Sequence, residues 1–241
     1  MSDPELRVTA LVAGYEPGVP IVRGASMTVA KGEIVVVLGP NGAGKSSFIK
    51  AVAGLVPIFS GKVELAGKDT TTVPAHRMVR QGLAFVPQTE NVFPLMSVED
   101  NLRVAGAVLP SRTIAHRIAD MYATFPDLAR QRRLLAGSLS GGQRQMLAVA
   151  RALIVQPRVL MLDEPSAGLS PKFVAMVFSM LADIRTTGVT MVIVEQNAKA
   201  ALAIGDRAYV LVEGQNRHEG IASELWNDPV VASLYLGHRA A

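Results

Sequence analysis

The sequence predicts an α/β fold: a parallel sheet with right-handed crossovers, carrying a mostly helical insertion. Three observations predict it. Short apolar runs of strand length recur at Ile34–Leu38, Val159–Leu162 and Thr190–Val194, and the first of them has the unbroken apolar character of a parallel strand covered on both faces. Helical patterns alternate with these runs, which demands crossover connections. From residue 91 to 155 the alternation stops and the pattern is mostly helical. We therefore expect one domain over 1–241, with a core and β subdomain built from 1–90 and 156–241 and a helical subdomain from 91–155.

The elements follow in order. After Leu38 comes a glycine-rich turn, then a helix through Ser47, Phe48, Ile49, Ala51 and Val52, stopped by Gly54 and Pro57. Val63–Ala66 alternates between glycines and reads as an antiparallel strand. Leu83–Val86 is a short strand ended by Pro87, and Val98 to about Leu135 is mostly helical with a break near Pro110. Gly141–Ile154 is a helix, its apolar positions Met146, Leu147, Val149, Ala150, Leu153 and Ile154 at helical spacing and Pro157 beyond its end. An amphipathic helix spans roughly Phe173–Arg185.

Composition excludes several chemistries. With 241 residues, 49% hydrophobic and 18% charged, the chain can bury a substantial core and is not a disordered polymer. It has no cysteine, so disulfides, thiolate metal sites and cysteine nucleophiles are excluded. Its four histidines, His76, His116, His218 and His238, lack metal-ligand spacing. A formal charge of +4 suits an anionic partner without choosing one. Met1–Glu5 lacks the basic start and apolar stretch of a signal peptide. No window holds the roughly 18 apolar residues of a membrane span, so in any membrane process another chain is expected to cross the bilayer.

The strongest local signal is Gly39-Pro40-Asn41-Gly42-Ala43-Gly44-Lys45-Ser46, between a strand and a helix. Glycines let consecutive backbone N–H groups turn toward phosphate oxygens, and the helix N-terminus adds partial positive charge. Lys45 supplies a compact cation for the β- and γ-phosphates, and the Ser46 hydroxyl can ligate Mg²⁺. The competing reading is an ordinary glycine turn. A second signal is Asp163-Glu164 at the end of an apolar strand, where ligands bind in open α/β sheets. Asp163 would hold Mg²⁺, directly or through water, and Glu164 would polarise the attacking water as general base. Alone, that pair would be a solvated acidic turn; the phosphate loop upstream raises it above that. The third is Leu139-Ser140-Gly141-Gly142-Gln143, opening the predicted helix with Ser140 as N-cap and first-turn N–H groups free for an anion. Since one phosphate site is already present, a second makes sense if it serves a neighbouring subunit's nucleotide.

With these motifs in this order, the chain resembles the ABC ATPase family over nearly its whole length. The resemblance implies a P-loop NTPase (RecA-like) core with an antiparallel β subdomain and an inserted α-helical subdomain, with ATP and Mg²⁺ as cofactors. Gly39 to Ser47 match Walker A, Asp163-Glu164 match Walker B, and Ser140, Gly141, Gly142 and Gln143 match the signature that reads ATP in trans. Tyr15 stands where the family stacks an aromatic on adenine, although a lone tyrosine is more often simple packing. Gln88 matches the glutamine that touches Mg²⁺ and relays nucleotide state to the membrane partner. Ser166–Pro171 match the D-loop.

Two positions depart from the family pattern. Gln196 stands where a histidine is usual, and a glutamine amide can donate to a γ-phosphate but carries neither charge nor proton. Ser170 replaces the usual D-loop aspartate. Both departures, with Val194–Ala198, Ala200–Arg207 and the tail Ala232–Gly237, resemble the second ATPase subunit of branched-chain amino-acid importers, to which urea and short-amide importers are closely similar. The resemblance implies a second, identical or homologous ATPase subunit, transmembrane permeases and, indirectly, a substrate-binding protein, with no nucleic acid and a peripheral place on the cytoplasmic face of the inner membrane. A repair or translation ATPase is the competing class; the chain has one cassette and no room for a long coiled coil between Gln88 and Ser140. A nucleotide sensor without hydrolysis is the other, and all the hydrolytic groups argue against it. Most of the ten methionines read as core filling, the Arg130, Arg132 and Arg133 cluster as a solvated face, and Trp226 as the anchor of a C-terminal helix.

Overall fold

A computed structural model describes residues 3–226, 228, 229 and 231. Strands β1 (Leu6–Ala13) and β2 (Val22–Val29) precede β3 (Ile34–Leu38), which leads through the glycine loop into α1 (Lys45–Val52). Next come β4 (Ile58–Leu65), β5 (Lys68–Asp69), α2 (Ala75–Gln81) and β6 (Leu83–Val86). A run of helices follows: α3 (Val98–Ala105), α4 (Ser111–Thr124), α5 (Pro126–Arg130) and α6 (Gly141–Leu153). The chain then returns with β7 (Val159–Asp163), α7 (Pro171–Arg185), β8 (Thr190–Val194), α8 (Ala198–Leu202), β9 (Arg207–Val212), β10 (Gln215–Ile221) and α9 (Ala222–Leu225).

These strands form an antiparallel sheet in the order β2-β1-β4-β5 and a six-stranded sheet in the order β10-β9-β3-β8-β7-β6. The second is parallel from β9 to β6, with β10 antiparallel at its edge. Every residue of β3, β7 and β8 is buried, the signature of a sheet covered on both faces. The two-residue pleat divides them cleanly. Ile34, Val36, Leu38, Leu160, Leu162, Met191 and Ile193 pack with α6 and α7 in one core. Val35, Val37, Val159, Met161, Val192 and Val194 face the antiparallel sheet and α1 in the other. The carboxyl ends of β3, β7 and β8 therefore open on one crevice, beside the glycine loop.

The structure extends and corrects the sequence reading at several points. The predicted strand Val63–Ala66 begins earlier, at Ile58, and Ala66 falls in a turn at φ +49°. The break near Pro110 is a short 3-10 turn at Gly106–Val108 before α4. Helix stops at Arg130 and does not run on to Leu135. Helix α7 starts at Pro171, whose fixed φ suits a first helical position. Trp226 does not anchor a helix: it lies 51% exposed, and the buried side chain there is Leu225. Arg132 and Arg133 are exposed, and Arg130 pairs with Asp127, as on a solvated face. Most of the described methionines are buried, but Met96 is exposed. The tail Ala232–Gly237 lies outside the described residues.

One buried amide fixes the segment that links β6 to the helices. Asn101 on α3 is fully buried; its Oδ1 accepts from Phe93 N at 2.8 Å, and its Nδ2 donates to Phe93 O at 3.0 Å and Ser97 O at 2.9 Å. Replacing Asn101 by alanine orphans these backbone groups, at a cost of about 2–3 kcal/mol. Calorimetry should register it as a fall in Tm of roughly 4–12 °C.

Candidate functional site

The loop after β3 is shaped by steric demand. Gly39 sits at φ +148°, and a Cβ there would lie 2.1 Å from Leu211 O, so no side chain fits. Gly44 adopts a left-handed conformation at the N-terminus of α1. The first helical donor is Phe48 N, to Gly44 O at 2.8 Å. The N–H groups of Lys45, Ser46 and Ser47 precede it in the first turn, where a helix offers its unspent donors and positive dipole end.

Lys45 folds back over this loop. Its Nζ donates to Gly39 O at 2.8 Å and Pro40 O at 3.0 Å, and the side chain is buried. Burial holds its pKa below the ordinary lysine value, while the charges of Glu164, Asp163 and Glu195 pull it back up. Ser46 Oγ donates to Asp163 Oδ1 at 2.7 Å, and Lys50 Nζ lies 3.7 Å from Asp163 Oδ2. Burial pushes the Asp163 carboxyl up, opposed by the Ser46 hydrogen bond and the Lys50 charge. The sequence reading had not singled out Lys50. Its spacing of four from Ser46 puts both on one helix face, which is the signal that could have found it.

Glu164 is the convergence point. Its backbone sits at φ +47°, a region a non-glycine residue rarely occupies, pinned by Glu164 N donating to Val194 O at 2.9 Å. Its Oε2 accepts from Gln88 Nε2 at 2.8 Å and its Oε1 from Gln196 Nε2 at 2.7 Å. Two glutamines far apart in sequence thus hold one carboxylate from both sides. Glu195 was also missed. It is buried beside them and accepts from Ser166 N at 2.8 Å. Like Asp163-Glu164, Glu195 is an acid at the end of an apolar strand, here β8, and that pattern is the signal for it.

Ser140 caps α6 as expected, and reciprocally: Gln143 N donates to Ser140 Oγ at 3.3 Å and Ser140 N to Gln143 Oε1 at 3.0 Å. The two glycines have a packing reason beyond open N–H groups. A Cβ on Gly142 would lie 2.4 Å from Phe173 Cδ1, and one on Gly141 would lie 3.0 Å from Leu169 Cδ2. Gly142→Ala should therefore destabilise the α6–α7 contact by about 1–3 kcal/mol. Thermal denaturation should show the loss, and Phe173→Leu in the same chain should recover part of it. Tyr15 is 55% exposed in the turn between β1 and β2.

The Ser46 hydroxyl and the Asp163 carboxylate it meets are oxygen donors of the kind a hard cation takes, and the Gln88 side chain meets the adjacent Glu164. Among the described residues no group of three or more His, Asp or Glu forms a metal cage. A cation such as Mg²⁺ uses one or two carboxylates and completes its shell with phosphate oxygens and water.

Comparison with known proteins places the fold and the sequence in one family. The family model described as "ABC transporter" matches residues 22–167. The chain is 41% identical over 233 residues to the probable branched-chain amino acid transport ATP-binding protein LivF of Archaeoglobus fulgidus, covering 96% of this chain and 98% of that protein. It is 36% identical to the lipopolysaccharide export system ATP-binding protein LptB of Acidithiobacillus ferridurans, covering 96% of each. A crystal structure of the ADP conformation of an ATP-binding cassette of an ABC transporter matches with a TM-score of 0.86 at 26% identity, over 98% of this chain and 100% of that one. Among the described residues no helix is long and apolar enough to cross a membrane.

Proposed function

The chain belongs to the ABC transporter ATP-binding family and is an ATPase; from that premise we propose that it is the motor subunit of a branched-chain amino-acid importer. It works at the cytoplasmic face of the inner membrane against separate permease chains, fed by a substrate-binding protein. The observation that carries the hydrolytic part is the Glu164 carboxylate, held between the amides of Gln88 and Gln196.

In this reading the backbone N–H groups from Gly39 to Ser47 cradle the triphosphate, and Tyr15 stacks on adenine. Lys45 exchanges its two carbonyl acceptors for phosphate oxygens. Mg²⁺, when bound, would be held by Ser46, Asp163 and Gln88 and would neutralise phosphate charge. Glu164 takes a proton from the attacking water, and Gln196 donates a hydrogen bond at the γ-phosphate. The α6 end, Ser140, Gly141, Gly142 and Gln143, reads the nucleotide of a second ATPase subunit, identical or homologous. Closure of the pair on ATP and reopening after hydrolysis drive the permeases, because the two states differ in affinity for ATP. The division into a core (1–90 and 156–241) and a helical part (91–155) belongs to the same reading; it lets the α6 end move as a unit.

The 41% likeness to LivF supports the branched-chain substrate. The 36% likeness to LptB favours one second reading, the same motor serving a different transporter. Deleting the gene and following labelled uptake tests the choice. Loss of leucine, isoleucine and valine uptake with urea uptake intact is the expected result; undiminished uptake of all three contradicts it.

A further inference from the structure

We propose that Glu195 is a positioning residue for hydrolysis: its carboxylate ties the loop carrying Glu164 to the loop carrying Gln196. It stands directly after β8, 2% exposed. One oxygen accepts from Ser166 N at 2.8 Å. The other accepts from Gln196 N at 3.1 Å and Asn197 N at 3.3 Å. A buried carboxylate is costly unless donors surround it, and the buried Ser166 N–H is costly unless something accepts from it. Each satisfies the other here.

The connections close a ring. Glu164 leads through Pro165 to Ser166, whose N–H reaches Glu195. Glu195 leads to Gln196, whose side-chain amide returns to Glu164 Oε1 at 2.7 Å. Moving either loop alone breaks the ring. It therefore holds Glu164 in its uncommon backbone conformation at φ +47° and sets the direction of its carboxylate. Glutamine at 195 would keep the shape but turn an NH₂ toward an N–H donor on one side; aspartate is one methylene too short to span both loops. The inference rests on the roles proposed for Glu164 and Gln196, since Glu195 acts through them.

The test compares the full chain with Glu195→Gln, Glu164→Gln and the double variant. The expected result for Glu195→Gln is a fall of at least tenfold in kcat for ATP hydrolysis, with MgATP affinity and KM within threefold of wild type. In the Glu164→Gln background the same change alters the residual rate less than twofold, because both act in one unit. Wild-type kcat in Glu195→Gln, or equal losses of affinity and rate, overturns the proposal. Amide hydrogen exchange in the wild-type chain provides an arm that does not depend on a variant folding. Ser166, Gln196 and Asn197 amides, although in loops, should exchange at least a hundredfold more slowly than free amides; unprotected amides overturn the ring. If Glu164→Gln keeps full turnover, the underlying assignment fails; if it is inactive while Glu195→Gln is not, the proposal alone fails.

Discussion

Glu164→Gln should lower kcat for ATP hydrolysis by about 10²–10⁴-fold, the range for loss of a positioned general base, while MgATP still binds. The substitution is nearly isosteric. It removes the group that can take a proton from water, and it meets Gln88 and Gln196, both donating amides, with one acceptor oxygen in place of two. The loop backbone is untouched, because Glu164 N still reaches Val194 O and Ala167 N still reaches Glu164 O at 3.1 Å. With binding intact and hydrolysis blocked, ATP-bound subunit pairs should accumulate. Phosphate release and light scattering on a sizing column read the two effects. Full turnover would show that another group activates the water.

Lys45→Ala should weaken MgATP binding by about 10²–10⁴-fold. Two charge-assisted hydrogen bonds to phosphate are worth about 3–6 kcal/mol together, and each 1.4 kcal/mol is about tenfold in affinity. The ammonium is already buried and desolvated in the free chain, where it holds Gly39 O and Pro40 O. Binding phosphate therefore needs little further dehydration, and a strong anion replaces two neutral carbonyls. The fold should survive, since the cost of burying that charge offsets much of what its two bonds contribute. Titration calorimetry on a chain with wild-type circular dichroism checks both statements.

Much of this was legible in the sequence, for identifiable reasons. β3, β7 and β8 announce themselves because a strand covered on both faces must be apolar throughout. The glycine loop is legible because sterics at Gly39 leave no alternative residue. β1 and β2 went unread because each has one face turned away from the core and an interrupted alternation; β1 even shifts register between Val8 and Leu11. β10, Gln215–Ile221, has no fully buried residue and is held by its backbone pairing with β9, a force the side-chain pattern does not record. At the site, the sequence named Gln88, Glu164 and Gln196 separately. That both amides close on Glu164 depends on β6, β7 and β8 ending side by side in one sheet, which no local window contains. Glycines at 141 and 142 suggested an open helix end; their contacts with Leu169 and Phe173 belong to α7 and the turn before it, too distant in sequence to be read.

Nucleotide-driven work by this chain requires that the amides and lysine of the loop after β3 grip a triphosphate. Calorimetric titration of the folded wild-type chain with MgATP measures this most directly. One saturable site per chain, weakened at least about a hundredfold in Lys45→Ala, is the predicted result. A folded wild-type chain that takes up no MgATP at millimolar nucleotide would contradict it.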